Sequence, residues 1–148
     1  MTLWRGQVWR LTFADHDPLA PVTAPVGRFH HDGQTAIYTS LTPAGCGVAI
    51  RRYLRPDDGP RVLHPLRVDA RNITDMRNTT DPASVVWQDI HAAGSPAPTW
   101  LISDRARDRG AQGLLYRSRT RPELVHLALF DPAVLTLEGP PIPWAAAV

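Results

Sequence analysis

The stretch Gly27-Arg28-Phe29-His30-His31-Asp32-Gly33-Gln34-Thr35-Ala36-Ile37-Tyr38-Thr39-Ser40-Leu41-Thr42-Pro43 runs from a turn through a strand into a helix start. Gly33 punctuates the turn. His30 and His31 lie in it and read as solvated. They are adjacent, so on extended backbone they face opposite ways and make a poor metal pair. Thr35 to Ser40 (T-A-I-Y-T-S) reads as a strand. Thr42 suits an N-cap and Pro43 the first helical position, which predicts a helix over Pro43 to Leu54. Gly45 and Gly47 oppose it by about 1 kcal/mol each relative to alanine.

Working outward, Gln7 to Phe13 (Q-V-W-R-L-T-F) reads as a first strand. Asp15 to Gly27 holds Pro18, Pro21 and Pro25 and reads as a loop. Downstream, Arg55 to Pro60 is a turn. Arg61 to Val68 is a strand that Pro65 should interrupt, as an edge or a bulge. Asp81-Pro82 opens a helix through His91, with Asp81 as N-cap. A further helix runs from Pro98-Thr99 to Arg109 and is closed by Gly110. Gly113 to Tyr116, Val125 to Phe130 and Val134 to Leu137 read as closing strands. These elements predict one α+β domain with mixed or antiparallel sheets and flanking helices over residues 1–138. Residues 139–148 form a Pro- and Ala-rich tail that either hangs free or is docked by Trp144.

Composition narrows the class. The 148 residues can bury a core without disulfides or metal. No apolar run approaches the roughly 20 residues of a membrane span, and the N-terminus lacks a signal-peptide core, so no membrane or export role is expected. Cys46 is the one cysteine, suits a reducing cytoplasm, and reads as a buried inert thiol. All 16 basic residues are arginine, beside 12 aspartates and two glutamates, Glu123 and Glu138. A GC-rich coding bias accounts for this, although arginine also binds phosphate in bidentate fashion. Scattered among 14 acids, the arginines leave no nucleic-acid footprint. Arg105, Arg107 and Arg109 alternate with Asp104 and Asp108 and read as a solvated helix face. Trp9, Trp87 and Trp100 read as core. No Walker loop, G-x-G-x-x-G or zinc spacing is present, and no metal is expected.

Taken in order, the segments resemble the RES-domain family. Gly27-Arg28-Phe29, the Gly-containing turn, Ala36-Ile37-Tyr38 and Thr42-Pro43 match its hallmark of Gly-Arg-Trp, turn, apolar-apolar-Tyr strand and Ser/Thr-Pro helix start. Val8-Trp9-Arg10-Leu11 is similar to its first strand. Gly113-Leu114-Leu115-Tyr116-Arg117-Ser118, followed by Leu127-Ala128-Leu129-Phe130, resembles its third motif. The likeness runs from Trp4 to Phe130. It implies an ADP-ribosyltransferase-like fold and a cytoplasmic toxin, paired with a helix-turn-helix antitoxin, that consumes NAD+. The reaction would be cleavage of the nicotinamide–ribose bond with water or phosphate, or ADP-ribosyl transfer to a macromolecule. A homo-oligomer is compatible with it.

On this resemblance Arg10 and Arg28 clamp the pyrophosphate, Tyr38 stacks the nicotinamide, and Ser118 positions phosphate or ribose. Arg28, Tyr38 and Ser118 are the implied catalytic set, and all four bind NAD+. Each has an ordinary alternative: Arg28 as a turn arginine, Arg10 paired with Asp15 or Asp17, Tyr38 as a half-buried strand tyrosine, and Ser118 as a turn cap. The family is named for Arg, Glu and Ser. Its glutamate falls here on Ala49, and no acid lies between Gly33 and Arg55. The alternatives are a relocated acid, with Asp32, Asp57 and Asp58 as candidates, or a degenerate module that binds NAD+ or an antitoxin without turnover.

Overall fold

A computed structural model describes residues 2–79, 81 and 86–146. In chain order the strands are β1 (Trp4–Phe13), β2 (Ile37–Ser40), β3 (Arg61–Ala70), β4 (Ile73–Asp75), β5 (Gly113–Arg117), β6 (Val125–Leu129), β7 (Leu135–Leu137) and β8 (Ile142–Trp144). The helices are α1 (Pro43–Ile50), α2 (Trp87–Ala92) and α3 (Pro98–Asp108). Among the described residues the strands form one sheet ordered β4-β5-β6-β2-β1-β3-β7, with β8 also on β3. Only β4–β5 is parallel. The result is the mixed-sheet α+β domain that the sequence predicts.

Period-two alternation gives the sheet two lined faces. Ile37, Leu115, Leu127 and Leu129 join Val8, Leu66 and Val68 in one apolar core. The intervening Leu114, Tyr116 and Ala128 pack on the other face with Phe29 and Ala106, and Tyr38 lies against them. By the same alternation Tyr38 and Ser40 share this second face, as do Tyr116 and Ser118. Tyr38, Ser40, Tyr116 and Ser118 therefore project on the face that α3 covers, whereas Arg10, two residues on from Val8, projects on the other.

Thr42 caps α1 through its hydroxyl, which accepts from Gly45 N at 3.1 Å, and Pro43 opens the helix. A short 3-10 turn, Arg51–Tyr53, carries the chain on to Leu54. Gly45 is required here. A Cβ on it would stand 2.8 Å from Ser40 Cβ, so glycine lets α1 lie close over the end of β2. Gly110 closes α3 in a left-handed conformation, with its N–H on Arg107 O.

Two expectations about element bounds are corrected. Pro65 does not interrupt its strand: β3 runs unbroken for 10 residues. Pro65 O accepts from Glu138 N, so its nitrogen also points outward. There β3's outer neighbours, β7 on Leu66–Val68 and β8 on Arg61–Leu63, leave a break between them. No ladder bond needs the missing donor. The helix expected from Pro82 begins instead at Trp87, because Val86 is extended (φ −87°, ψ 94°); residues 82–85 lie outside the described residues. Of the two alternatives for the tail, docking is the one seen: Ile142–Trp144 pairs with Arg61–Leu63, Trp144 opposite Arg61.

The turn at residues 27–35 is clamped by α3. His31 O accepts from Gln34 N, and Asp32 and Gly33 both have positive φ, which makes a type I′ turn. Trp100 Nε1 donates to Gly27 O (2.7 Å), the Thr99 hydroxyl to Arg28 O, and Arg107 Nη2 to Phe29 O (2.8 Å). The Arg107 guanidinium also stacks 3.8 Å from the Phe130 ring centroid. Arg107 is thus half-buried rather than part of a solvated helix face. The histidines are not solvated either. His30 is 1% exposed. His31 stacks on Trp100 (4.6 Å, 16°) and bonds Asp104 and Asp32 at 2.9 Å each. Trp100 is half-buried, tied to this turn.

This clamp has a pH dependence of known sign. Burial alone would lower the His31 pKa, but bonding to Asp104 and Asp32 outweighs it and raises it. Burial would raise that of Asp104, but Gln34 and His31 pull it down. The pair therefore contributes fully from above the ordinary carboxylate range up to about pH 6.5. The contribution fades as pH rises through the folded His31 value. His31→Gln should cost about 1 kcal/mol or less near pH 6 and still less near pH 9, measured by chemical denaturation. A cost that grows with pH would contradict the assignment.

Candidate functional site

Below this turn lies a cleft of about 660 Å³, within the usual range for a ligand site. It is bounded by the 22–30 loop, the end of β2, α1 with the residues after it, the start of α2, and the ends of β5 and β6. Arg10, Arg28, Tyr38 and Ser118 come from three distant segments (β1, the 27–43 stretch and the end of β5), and all line it.

Arg10 is buried on β1. Its Nη1 donates to Pro18 O (2.7 Å) and Ala20 O (2.6 Å), and burial lowers its pKa to about 10, partly offset by Asp17. Its direct partners are thus carbonyls of the 15–27 loop rather than Asp15 or Asp17. The side chain fastens that loop to the cleft wall. Arg28 is half-buried, and its backbone is fixed by Gly27–His30 pairing and by Thr99. It lines the cleft, and its charge is felt at Tyr38, Tyr116 and His126.

Tyr38 closes the turn. Its hydroxyl accepts from Phe29 N (2.9 Å) and donates to His30 Nδ1 (2.8 Å), because His30 Nε2 donates to Ala24 O (2.8 Å). That chain fixes the His30 tautomer, and burial raises the Tyr38 pKa. Gly27 makes room for it. A Cβ there would lie 2.3 Å from His30 Cε1 and 2.8 Å from the Tyr38 hydroxyl. Because His30 is bonded at both nitrogens, it cannot yield. Gly27→Ala should destabilise the fold by about 1–3 kcal/mol in urea unfolding; an unchanged midpoint would refute this packing. Ser118 Oγ accepts from Arg121 N (3.3 Å), so it caps the turn after β5 while facing the cleft.

Ala49 is exposed on α1 and also lines the cleft. Six arginines line it (Arg10, Arg28, Arg51, Arg52, Arg117 and Arg119), and no described lining residue is acidic. Nor do residues 80 and 82–85 include an Asp or Glu. The relocated acids fail in particular ways. Asp32 bonds His31, Asp58 bonds Arg55 N and Arg61, and Asp57 is outside the lining. The Arg51 and Arg119 side chains have no hydrogen-bond or ion-pair partner among the described residues, whereas Arg52 pairs with Asp89 at 3.0 Å. The cleft is a cationic trough.

Sequence reasoning missed one pair. Ser40 and His126 are opposite each other on β2 and β6, with Ser40 Oγ 2.7 Å from His126 Nδ1. Burial, with Arg28 nearby, lowers the His126 pKa to about 4. Strand alternation put Ser40 on the face of Tyr38, but β2–β6 pairing has no local signal. Cys46 is buried as expected. Its thiol donates to Trp9 O (3.2 Å), and burial pushes its pKa up to about 11. Among the described residues no group of three or more His, Cys, Asp or Glu could hold a metal, and no helix is long and apolar enough to cross a membrane.

Fold and site define a single α+β domain with an arginine-lined cleft. The fold is similar to that of a chain in the crystal structure of the M. tuberculosis MbcT–MbcA toxin–antitoxin complex, with TM-score 0.67, 18% identity, 96% of this chain and 85% of that chain covered. No curated protein matches the sequence. The RES-domain model matches residues 7–147, and the chain belongs to the RES-domain family.

Proposed function

We propose that this chain is the toxin of a toxin–antitoxin pair and that its cleft binds NAD+ and breaks the nicotinamide–ribose bond. One observation carries the reading: residues that the family resemblance implicates, from three separate segments, converge on one cleft whose described lining has six arginines and no acid. A dinucleotide brings an anionic pyrophosphate, which suits that charge, and Arg28 is a lining cation whose charge reaches Tyr38 and Tyr116 on the aromatic floor. Tyr38 and Tyr116 supply ring surface there. Arg10 serves by holding the 15–27 loop rather than by meeting phosphate. Ser118 keeps its hydroxyl hydrogen for phosphate or ribose while capping its turn. Similarity to a chain of a toxin–antitoxin complex supports a protein antitoxin as partner, of the helix-turn-helix kind that the family resemblance implies.

The missing acid favours a second reading. With Ala49 where the family has glutamate, no carboxylate offsets the positive charge that grows on ribose as nicotinamide leaves. Losing one such interaction costs about 3–4 kcal/mol of barrier. The chain is then a slow enzyme or a binder without turnover. Following free nicotinamide by chromatography separates the readings. Release supports the enzyme; saturable binding by calorimetry without release supports the binder; neither overturns both.

A further inference from the structure

The Ser40–His126 pair has no part in the reading above, yet its surroundings define its chemistry. Both residues are buried, at 2% and 5% exposure. The Ser40 hydroxyl stands against Cys46 Sγ, whose own hydrogen goes to Trp9 O. A thiol donating in this way keeps its sulfur lone pairs. With the thiol hydrogen on Trp9 O, the Ser40 hydroxyl hydrogen can turn toward the Cys46 sulfur. That leaves the Ser40 oxygen to accept from His126 Nδ1–H, and this assignment puts the free lone pair on Nε2. No described residue bonds Nε2. The buried side-chain nitrogen or oxygen lacking a partner among the described residues is Arg107 Nε, not this nitrogen. With His126 in the cleft lining, Nε2 opens onto the cleft.

We propose that His126 Nε2 is the cleft's proton acceptor: it orients, and then deprotonates, the water that captures the ribose carbon as nicotinamide leaves. This rests on the NAD+ reading above. The bond between the ribose anomeric carbon and the nicotinamide ring nitrogen breaks, and its electron pair leaves with nicotinamide as a neutral ring. The water oxygen bonds to the same carbon, and its proton passes to Nε2 and then to solvent. Nothing is oxidised or reduced. A weak base suffices, because water bonded to a ribosyl cation is strongly acidic. A neutral imidazole is also the form that can accept, and burial and Arg28 keep it neutral at pH 7. Ser40 is a positioning residue: it holds the ring and fixes the tautomer. Cys46, unreactive itself, presents its sulfur to the Ser40 hydroxyl.

His126→Asn keeps an N–H for Ser40 and removes Nε2. In this variant kcat for nicotinamide release should fall about 10²–10⁴-fold, with KM and the calorimetric Kd for NAD+ unchanged. Sodium azide, a nucleophile with no proton to lose, should restore release. Undiminished kcat, or loss of affinity together with kcat, overturns the assignment. Should the variant fail to fold, Ser40→Ala provides the second test: kcat lowered at constant Kd supports the pair, and unchanged kcat overturns it. Wild-type protein that releases no nicotinamide overturns the NAD+ reading and this inference with it, whereas wild-type release matched by a folded His126→Asn protein overturns this inference alone.

Discussion

Ala49→Glu should raise the rate of nicotinamide release by about 10²–10³-fold, the reverse of what losing one transition-state charge contact costs. Position 49 is exposed on α1 and faces the cleft, so a longer side chain enters open space rather than core. Exposed substitutions of this kind usually change stability by about 0.5 kcal/mol or less. The new carboxylate would stand in a lining of six arginines with no competing acid, which keeps it ionised. Its benefit grows as positive charge develops on ribose, so kcat should rise more than NAD+ affinity. Steady-state kinetics of the two proteins check this. Equal rates at equal affinity would mean that the missing glutamate does not limit the reaction.

Arg28→Ala should have the opposite effect and act on binding. Removing the cation of a desolvated charge pair costs about 2–5 kcal/mol. At 1.4 kcal/mol per tenfold, NAD+ affinity should fall at least about 30-fold. The fold should survive, because Thr99, Trp100 and Tyr38 hold the turn through backbone groups of residues 27–29. Arg51→Ala provides the comparison. That side chain is exposed at the rim, and its loss should matter far less. Calorimetry on both variants measures the contrast, and equal losses would contradict a specific role for Arg28.

The parts legible in the sequence are those with local causes. Thr42-Pro43 marks the start of α1 because capping and a fixed φ act within one turn. The first strand, β2 and the helix ending at Gly110 follow for similar reasons. Pro65 misleads, because its effect depends on where β7 and β8 end beside β3, and that is settled by residues some 70 positions downstream. Arg107 and His31 look like surface residues in their own segments. They are drawn in because α3 crosses the 27–35 turn, and a helix docking on a turn leaves no trace in either segment's pattern.

The candidate site divides in the same way. Arg28, Tyr38 and Ser118 lie within ordered motifs and can be picked out, and the structure brings them to one cleft. Arg10 can be picked out too, but its bonding to Pro18 and Ala20 depends on how the 15–27 loop folds back. The Ser40–His126 contact joins residues 86 positions apart. Each is unremarkable alone, and only the β2–β6 register makes them a pair.

The most direct measurement is a crystal structure of the protein soaked with NAD+. The account predicts a pyrophosphate within hydrogen-bond reach of the Arg28 guanidinium, with the nicotinamide or vacated ribose end over Tyr38 and His126. A dinucleotide bound elsewhere, with this cleft unoccupied at saturating NAD+, would contradict it.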